Sequence, residues 1–155
     1  IWISPSTEHP DAQWTTQQAR NFAIHIAEEK LPCTILGRDN DKKYVASFDA
    51  VFKSMDCEVK PITPMSPNLQ AHVERVIQTI KHEVLNGFCI VSNSHLDHIL
   101  RVTQSWYNHR RCHSARENLP PVRTVTPSEP IDLSKQKLIC DEELGGHLKS
   151  YRAAA

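Results

Sequence analysis

Between residues 68 and 84 apolar side chains return at steps of three and four: Val73, Val76, Ile77, Ile80 and Val84. That is the period of a helix with one buried face, so a helix is predicted over 68–83. Gln70, Glu74 and Lys81 fall on another face. Four residues turn a helix by about 400° and seven by about 700°, which leaves these three side chains within roughly 60° of one another. The preceding stretch, with Pro61, Pro64 and Pro67, cannot be helix and is expected to be a loop.

The other elements follow from the same patterning. Ile1-Trp2-Ile3-Ser4 has the look of the end of a strand, so the chain is expected to open inside a domain, and 5–13 is a connection. Thr15 or Thr16 is the expected N-cap of a helix to about Lys30 with Ala19, Phe22, Ala23 and Ile26 on one face, stopped by Pro32. Thr34-Ile35-Leu36-Gly37 is a short apolar run of buried-strand type that ends in Arg38-Asp39-Asn40-Asp41. Ser47 is the expected cap of a helix with Phe48, Val51, Phe52 and Met55 as its core stripe. Residues 57–62 are predicted to return to the sheet, with Pro61 confining that strand to an edge or a terminus. Asn93 or Ser94 caps a further helix, in which Leu96, Ile99, Leu100, Thr103, Trp106 and Tyr107 recur at helical spacing as packing residues. Beyond His113 the chain turns polar and rich in proline, at Pro120, Pro121, Pro127 and Pro130. A short strand is expected at Leu138-Ile139-Cys140 and a turn at Leu144-Gly145-Gly146. Strands alternating with helices argue an α/β layered domain over 1–119 followed by a proline-rich tail over 120–155.

Composition narrows the function classes. A chain of 155 residues with 39% hydrophobic content suits one domain with a real core. Eighteen basic side chains balance eighteen acidic ones, so no global positive field is present to hold nucleic acid, and any such contact must come from local patches. The five cysteines are widely spaced, odd in number and without a Cys-x-x-Cys pair, which argues against a secreted disulfide framework. His109, Cys112 and His113 are close in sequence, but three ligands in an arginine-rich loop make a weak case for zinc. With neither a basic-then-apolar leader nor an apolar run of membrane-spanning length, a reducing cytoplasm and no membrane partner are the expectation.

Two carboxylates are the candidates for chemistry. Asp39 sits at the carboxyl end of a predicted strand, the edge where α/β sheets build sites, and the 34 residues between it and Glu74 suffice for a helix, a return strand and a loop. Taken singly, a helical Glu or a strand-end Asp is usually a solvated charge. The context is more specific. Asp39-Asn40 with Tyr44, Ser66-Pro67-Asn68, Gln70, Glu74 and Lys81, then Tyr107-Asn108-His109-Arg110-Arg111-Cys112-His113, resemble the catalytic core of integrase-type transposases of the Asp-Asp-Glu recombinase superfamily. The resemblance extends from His9-Pro10-Asp11 and Trp14 through residue 113, and weakly to Leu144-Gly145-Gly146.

The resemblance implies a ribonuclease H-like (integrase core) fold lacking its first strands, with the first acidic residue of the triad upstream of Ile1, so that this chain is expected to be inactive as it stands. It implies Asp39 and Glu74 as catalytic residues and ligands of Mg2+ or Mn2+. It also implies Gln70, Lys81, Arg110, Arg111 and His113 at DNA, with element ends and target DNA as partners and a homo-oligomer as the working form. Two positions depart from the pattern: Gln70 stands where insertion-sequence relatives usually have Asn, and Asp41, a possible decoy ligand, where many have Gly. The alternatives are a catalytically dead DNA-binding or assembly module from a decayed mobile element, and a ribonuclease H-like nuclease.

Overall fold

A computed structural model describes residues 1–62, 71–122 and 137–154. The chain divides into two compact units, one of Thr7–Arg75 and one combining Ile1–Ser6 with Val76–Ala155. Mixed helix and strand is observed, as the patterning predicts.

The first of these units opens with α1 (Ala12–Glu28), whose N-cap is Asp11: its carboxylate accepts from the Trp14 amide at 2.7 Å. The cap therefore lies earlier than the expected Thr15 or Thr16. Those two threonines are buried instead, and each hydroxyl donates to the carbonyl four residues back, on Asp11 and Ala12. Ala19 and Ile26 are buried on the predicted face. The helix stops ahead of Pro32 because Lys30 adopts a positive φ of 52°, which lets the amides of Lys30 and Leu31 reach back to Ala27 and Ile26.

Strand β1 (Ile35–Arg38) and strand β2 (Glu58–Pro61) pair in parallel, Ile35 opposite Glu58 and Arg38 opposite Pro61, with α2 (Ala46–Lys53) as the crossover. Pro61 closes the ladder as its position predicts: it has no N–H, and the next amide, of Ile62, donates to the Arg38 carbonyl at 2.7 Å. The expected burial of β1 is corrected. Ile35 is 56% exposed and only alternate residues are covered, because the described sheet has two strands and one packed face. Val45, with no side-chain cap, precedes α2, and Ser47 contacts the Thr16 hydroxyl at 3.0 Å instead of capping. Phe48 and Phe52 meet Ala19 and Cys57 in the core, with rings 5.2 Å apart.

Helix α3 (Ala71–Thr79) continues through a wider π turn over Ile80–Val84 and a short 3-10 turn over Leu85–Gly87. Only Val84 of its predicted apolar face is buried, while Val73 and Ile77 are 56% and 57% exposed. The phase carried from Glu74 toward Lys81 at 100° per residue therefore holds only to Thr79, since the turn that contains Lys81 is wider.

In the second unit α4 (Asn93–His109) is capped by Ser92, one residue before the expected Asn93, with the serine oxygen accepting from the His95 amide at 3.1 Å. Residues 1–6 are not strand. They lie along α4 as extended chain, with the Ile3 amide donating to Gln104 and the Ser6 amide to Asp97, both at 2.6 Å, and the Asn108 amide group donating to the Ile1 carbonyl at 2.8 Å. Positions 97, 104 and 108 are seven and four apart, one stripe of a helix, so polar side chains take backbone groups that a sheet would otherwise satisfy.

The segment over 137–154 exceeds the single short strand expected. Strands β3 (Leu138–Glu143) and β4 (Leu148–Ala153) form an antiparallel hairpin. The predicted turn is there: Leu144, Gly145 and Gly146 all take positive φ, of 52°, 67° and 86°. Leu148 is buried with Val84 and Ile99.

Candidate functional site

The two parallel strands bring their carboxyl ends together where Asp39 leaves β1. Asn40 donates to the Ile62 carbonyl at 2.9 Å, which ties this exit to the end of β2. Asp39 is exposed, and one of its oxygens accepts from the Asp41 amide at 3.1 Å, an Asx turn that holds the carboxylate at the strand end.

Charges around it are neutralised in pairs. Arg38 grips Asp49 with two hydrogen bonds of 2.8 and 3.0 Å, and these, offset in part by burial, hold the Asp49 carboxyl below its usual range. Lys43 binds Asp41 through its backbone amide at 3.0 Å and its ammonium at 3.1 Å, and these bonds lower the Asp41 pKa. Asp41, the candidate decoy ligand, is thus already engaged. Tyr44 lies beneath the cations of Arg38 and Lys43, 5.8 and 5.4 Å from its ring centre, and burial followed by the Asp39 charge raises its hydroxyl pKa. The Arg38–Asp49 pair was invisible in sequence, since a strand residue and a helix residue eleven positions apart share no periodic signal.

Glu74 stands exposed in the first described turn of α3. Asp39 and Glu74 are both hard oxygen donors open to water, the type a magnesium or manganese ion takes. Among the described residues no group of three or more His, Cys, Asp or Glu side chains gathers to hold a metal ion. Gln70 lies outside the described residues, as do Ser66, Pro67 and Asn68 of the same motif.

The remaining candidates belong to the second unit. Lys81 is exposed in the π turn. Arg111 is clamped by Glu83 through contacts of 2.8, 3.0 and 3.3 Å and lies against the rings of Trp106 and Tyr107. Arg110 reaches Asp141 at 3.3 Å and the Ser150 hydroxyl at 3.1 Å. His113 meets the buried Tyr107 edge-on at 4.9 Å, and its Nε2 is buried without a hydrogen-bond partner. Burial first, and then the charges of Arg111 and Arg116, lower its pKa. His109, grouped with Cys112 and His113 by sequence, uses Nδ1 on the Ser105 carbonyl at 3.0 Å.

Residues 55–121 match the integrase core domain family. This stretch is therefore similar to the integrase/transposase catalytic-core type. It bears out the resemblance seen in the sequence and encloses Glu74, Gln70, Lys81 and the 107–113 motif, while Asp39 lies outside it. The match covers less than half of the 155-residue chain. A comparison with curated proteins finds no match. Among the described residues no helix is long and apolar enough to cross a membrane.

Proposed function

We propose that the chain is the core of an integrase-type transposase of ribonuclease H-like fold, acting on DNA ends and target DNA. The observation that carries this reading is the integrase-core match over 55–121, with Glu74 inside it. Asp39, exposed where two parallel strands end, is the second carboxylate. Together they would hold Mg2+ or Mn2+. A bound divalent ion would supply Lewis-acid stabilisation of the leaving oxygen in phosphoryl transfer. The Asx turn at Asp39 and the exposure of Lys81 support this reading, in which Lys81 would take a terminal phosphate. Gln70, Arg110, Arg111 and His113 complete the proposed DNA-facing set. Residues 1–119 form the working core in this proposal, and 120–155 an appended segment.

The test uses Mn2+ itself. Calorimetric titration into the native chain, Asp39→Asn and Glu74→Gln should show binding weakened at least about tenfold by either change, with melting unaltered. Binding of duplex DNA by the native chain should strengthen on addition of Mn2+, and that metal dependence should disappear in both variants. Unchanged metal binding in both would overturn the assignment, and DNA binding without metal dependence would favour an inactive binding or assembly module.

A further inference from the structure

Two thiols that sequence spacing left apart are brought together in the unit that carries Asp39. The Sγ atoms of Cys33 and Cys57 lie 3.2 Å apart across 24 positions of chain. Both are placed by backbone reversals at helix ends. Lys30, at φ 52°, turns the chain out of α1 toward Cys33. Asp56, at φ 57°, turns it out of α2, and the Cys57 amide donates back to the Phe52 carbonyl at 3.0 Å. Each cysteine then leads into a strand, and the Glu58 amide donates to the Thr34 carbonyl at 2.9 Å, locking the neighbours of the two thiols in register. The pair is thus held by paired backbone and not by adaptable side chains.

Accessibility is asymmetric. Cys57 is 2% exposed and part of the core with Ala19, Phe48 and Phe52, whereas Cys33 is only partly covered. Burial, then the contact with Cys33, pushes the Cys57 thiol up to about 11, which suppresses direct attack by Cys57 on a reagent in solution. Cys33 is the thiol a reagent meets first.

We propose that Cys33 and Cys57 are a reversible dithiol/disulfide pair, oxidised by a low-molecular-weight disulfide such as oxidised glutathione. The Cys33 thiolate attacks one glutathione sulfur, breaking its S–S bond, forming a mixed disulfide and releasing the first glutathione, which takes up the proton lost by Cys33. The Cys57 thiolate then attacks the Cys33 sulfur, forming the protein disulfide and releasing the second glutathione, which takes up the proton lost by Cys57. Two protein S–H bonds and one glutathione S–S bond become one protein S–S bond and two glutathione S–H bonds. The closed loop contains β1, the Asp39 turn and α2, so oxidation ties down the segment that presents the candidate catalytic carboxylate.

The experiment equilibrates the 155-residue chain in graded mixtures of oxidised and reduced glutathione, blocks free thiols and maps peptides by mass spectrometry. A Cys33–Cys57 cross-linked peptide should exceed any other cysteine pair by at least about tenfold, because the two thiols have a high effective concentration for one another. Exposed Cys89, Cys112 and Cys140 serve as internal controls that carry glutathione without pairing. The melting temperature should rise by roughly 5–10 °C on oxidation and not at all in Cys33→Ser. In Cys33→Ser, which leaves the buried thiol and the core intact, Cys57 should resist glutathione until the chain is unfolded. Cys33 that stays as the mixed disulfide, pairing shared equally with the exposed cysteines, or Cys57 as reactive in that variant as Cys89, would each overturn the proposal.

Discussion

At the end of β1 and in the stretch over 107–113 the same residue types have opposite fates. Around Asp39 the cations are spent on other anions, Arg38 on Asp49 and Lys43 on Asp41, and the motif carboxylate is left exposed. Over 107–113 the motif cations themselves are spent, Arg111 on Glu83 and Arg110 on Asp141, and His113 is packed against Tyr107. One region presents its charge to solvent and the other holds its charge within its own unit. A motif specifies residue types at a spacing, but availability for a ligand is set by whichever opposite charge the fold brings nearest. Under the proposed function, Lys81, exposed, would be the more accessible phosphate contact, and the two arginines would have to exchange partners to reach DNA.

The largest effect falls on the scaffold behind the Asp39 turn. Phe52→Ala removes a ring that is 1% exposed, and should cost about 3–5 kcal/mol in denaturant unfolding, with amide protection lost across β1. Survival of that protection would show that the turn is held without the Phe48 and Phe52 core.

Next in size is Arg38→Ala, which strands the largely covered Asp49 carboxylate and should cost about 1–2 kcal/mol at neutral pH. Because Asp49 has a folded pKa below its unfolded value, its stabilisation is complete above the ordinary aspartate range and fades as pH falls through the depressed folded pKa. Asp49→Asn should remove that acid-side loss from the stability-pH curve. A curve of unchanged shape would mean that the pair contributes nothing.

His113 works in a higher pH window. Its folded pKa lies below the ordinary 6.5, so its contribution is complete above that value and is lost as pH falls below it, toward the depressed folded pKa. One group binds at most one proton, so the slope stays under about 1.4 kcal/mol per pH unit. His113→Phe, which keeps a ring against Tyr107 and removes the unpartnered Nε2, should flatten this part of the curve, measured by chemical unfolding between neutral and mildly acid pH.

The smallest effects test the contrast in available cations directly. Lys81→Ala should reduce the salt dependence of duplex binding by about one counterion, and Glu83→Gln, which releases Arg111, should increase it by about the same amount. If Glu83→Gln leaves the slope unmoved while Arg111→Ala lowers it, Arg111 already contacts phosphate in the native chain.

Local order was legible in the chain itself. The strand that ends at Asp39, the crossover helix with Phe48 and Phe52, the return strand closed by Pro61 and the Gly145-Gly146 turn all rest on periodicity or on residue-specific backbone chemistry, and all are found where expected. The integrase-core resemblance is legible for the same reason: it rests on a string of residue types, and the stretch from 55 to 121 matches the integrase core domain family. What the sequence could not decide is which surfaces meet. Val73 and Ile77 share a period with Val84, yet only Val84 finds Ile99 and Leu148 to cover it, because burial depends on elements far along the chain. The expected strand at residues 1–4 is extended chain on α4, since Gln104 and Asn108 happen to present the partners its backbone needs. The grip of Glu83 on Arg111 and the 3.2 Å approach of Cys33 to Cys57 are of the same kind. Periodicity is a one-dimensional property and fixes which face of an element is apolar or charged, while contact is three-dimensional and depends on how helix ends turn the chain and on which side chains then fall within a few ångströms.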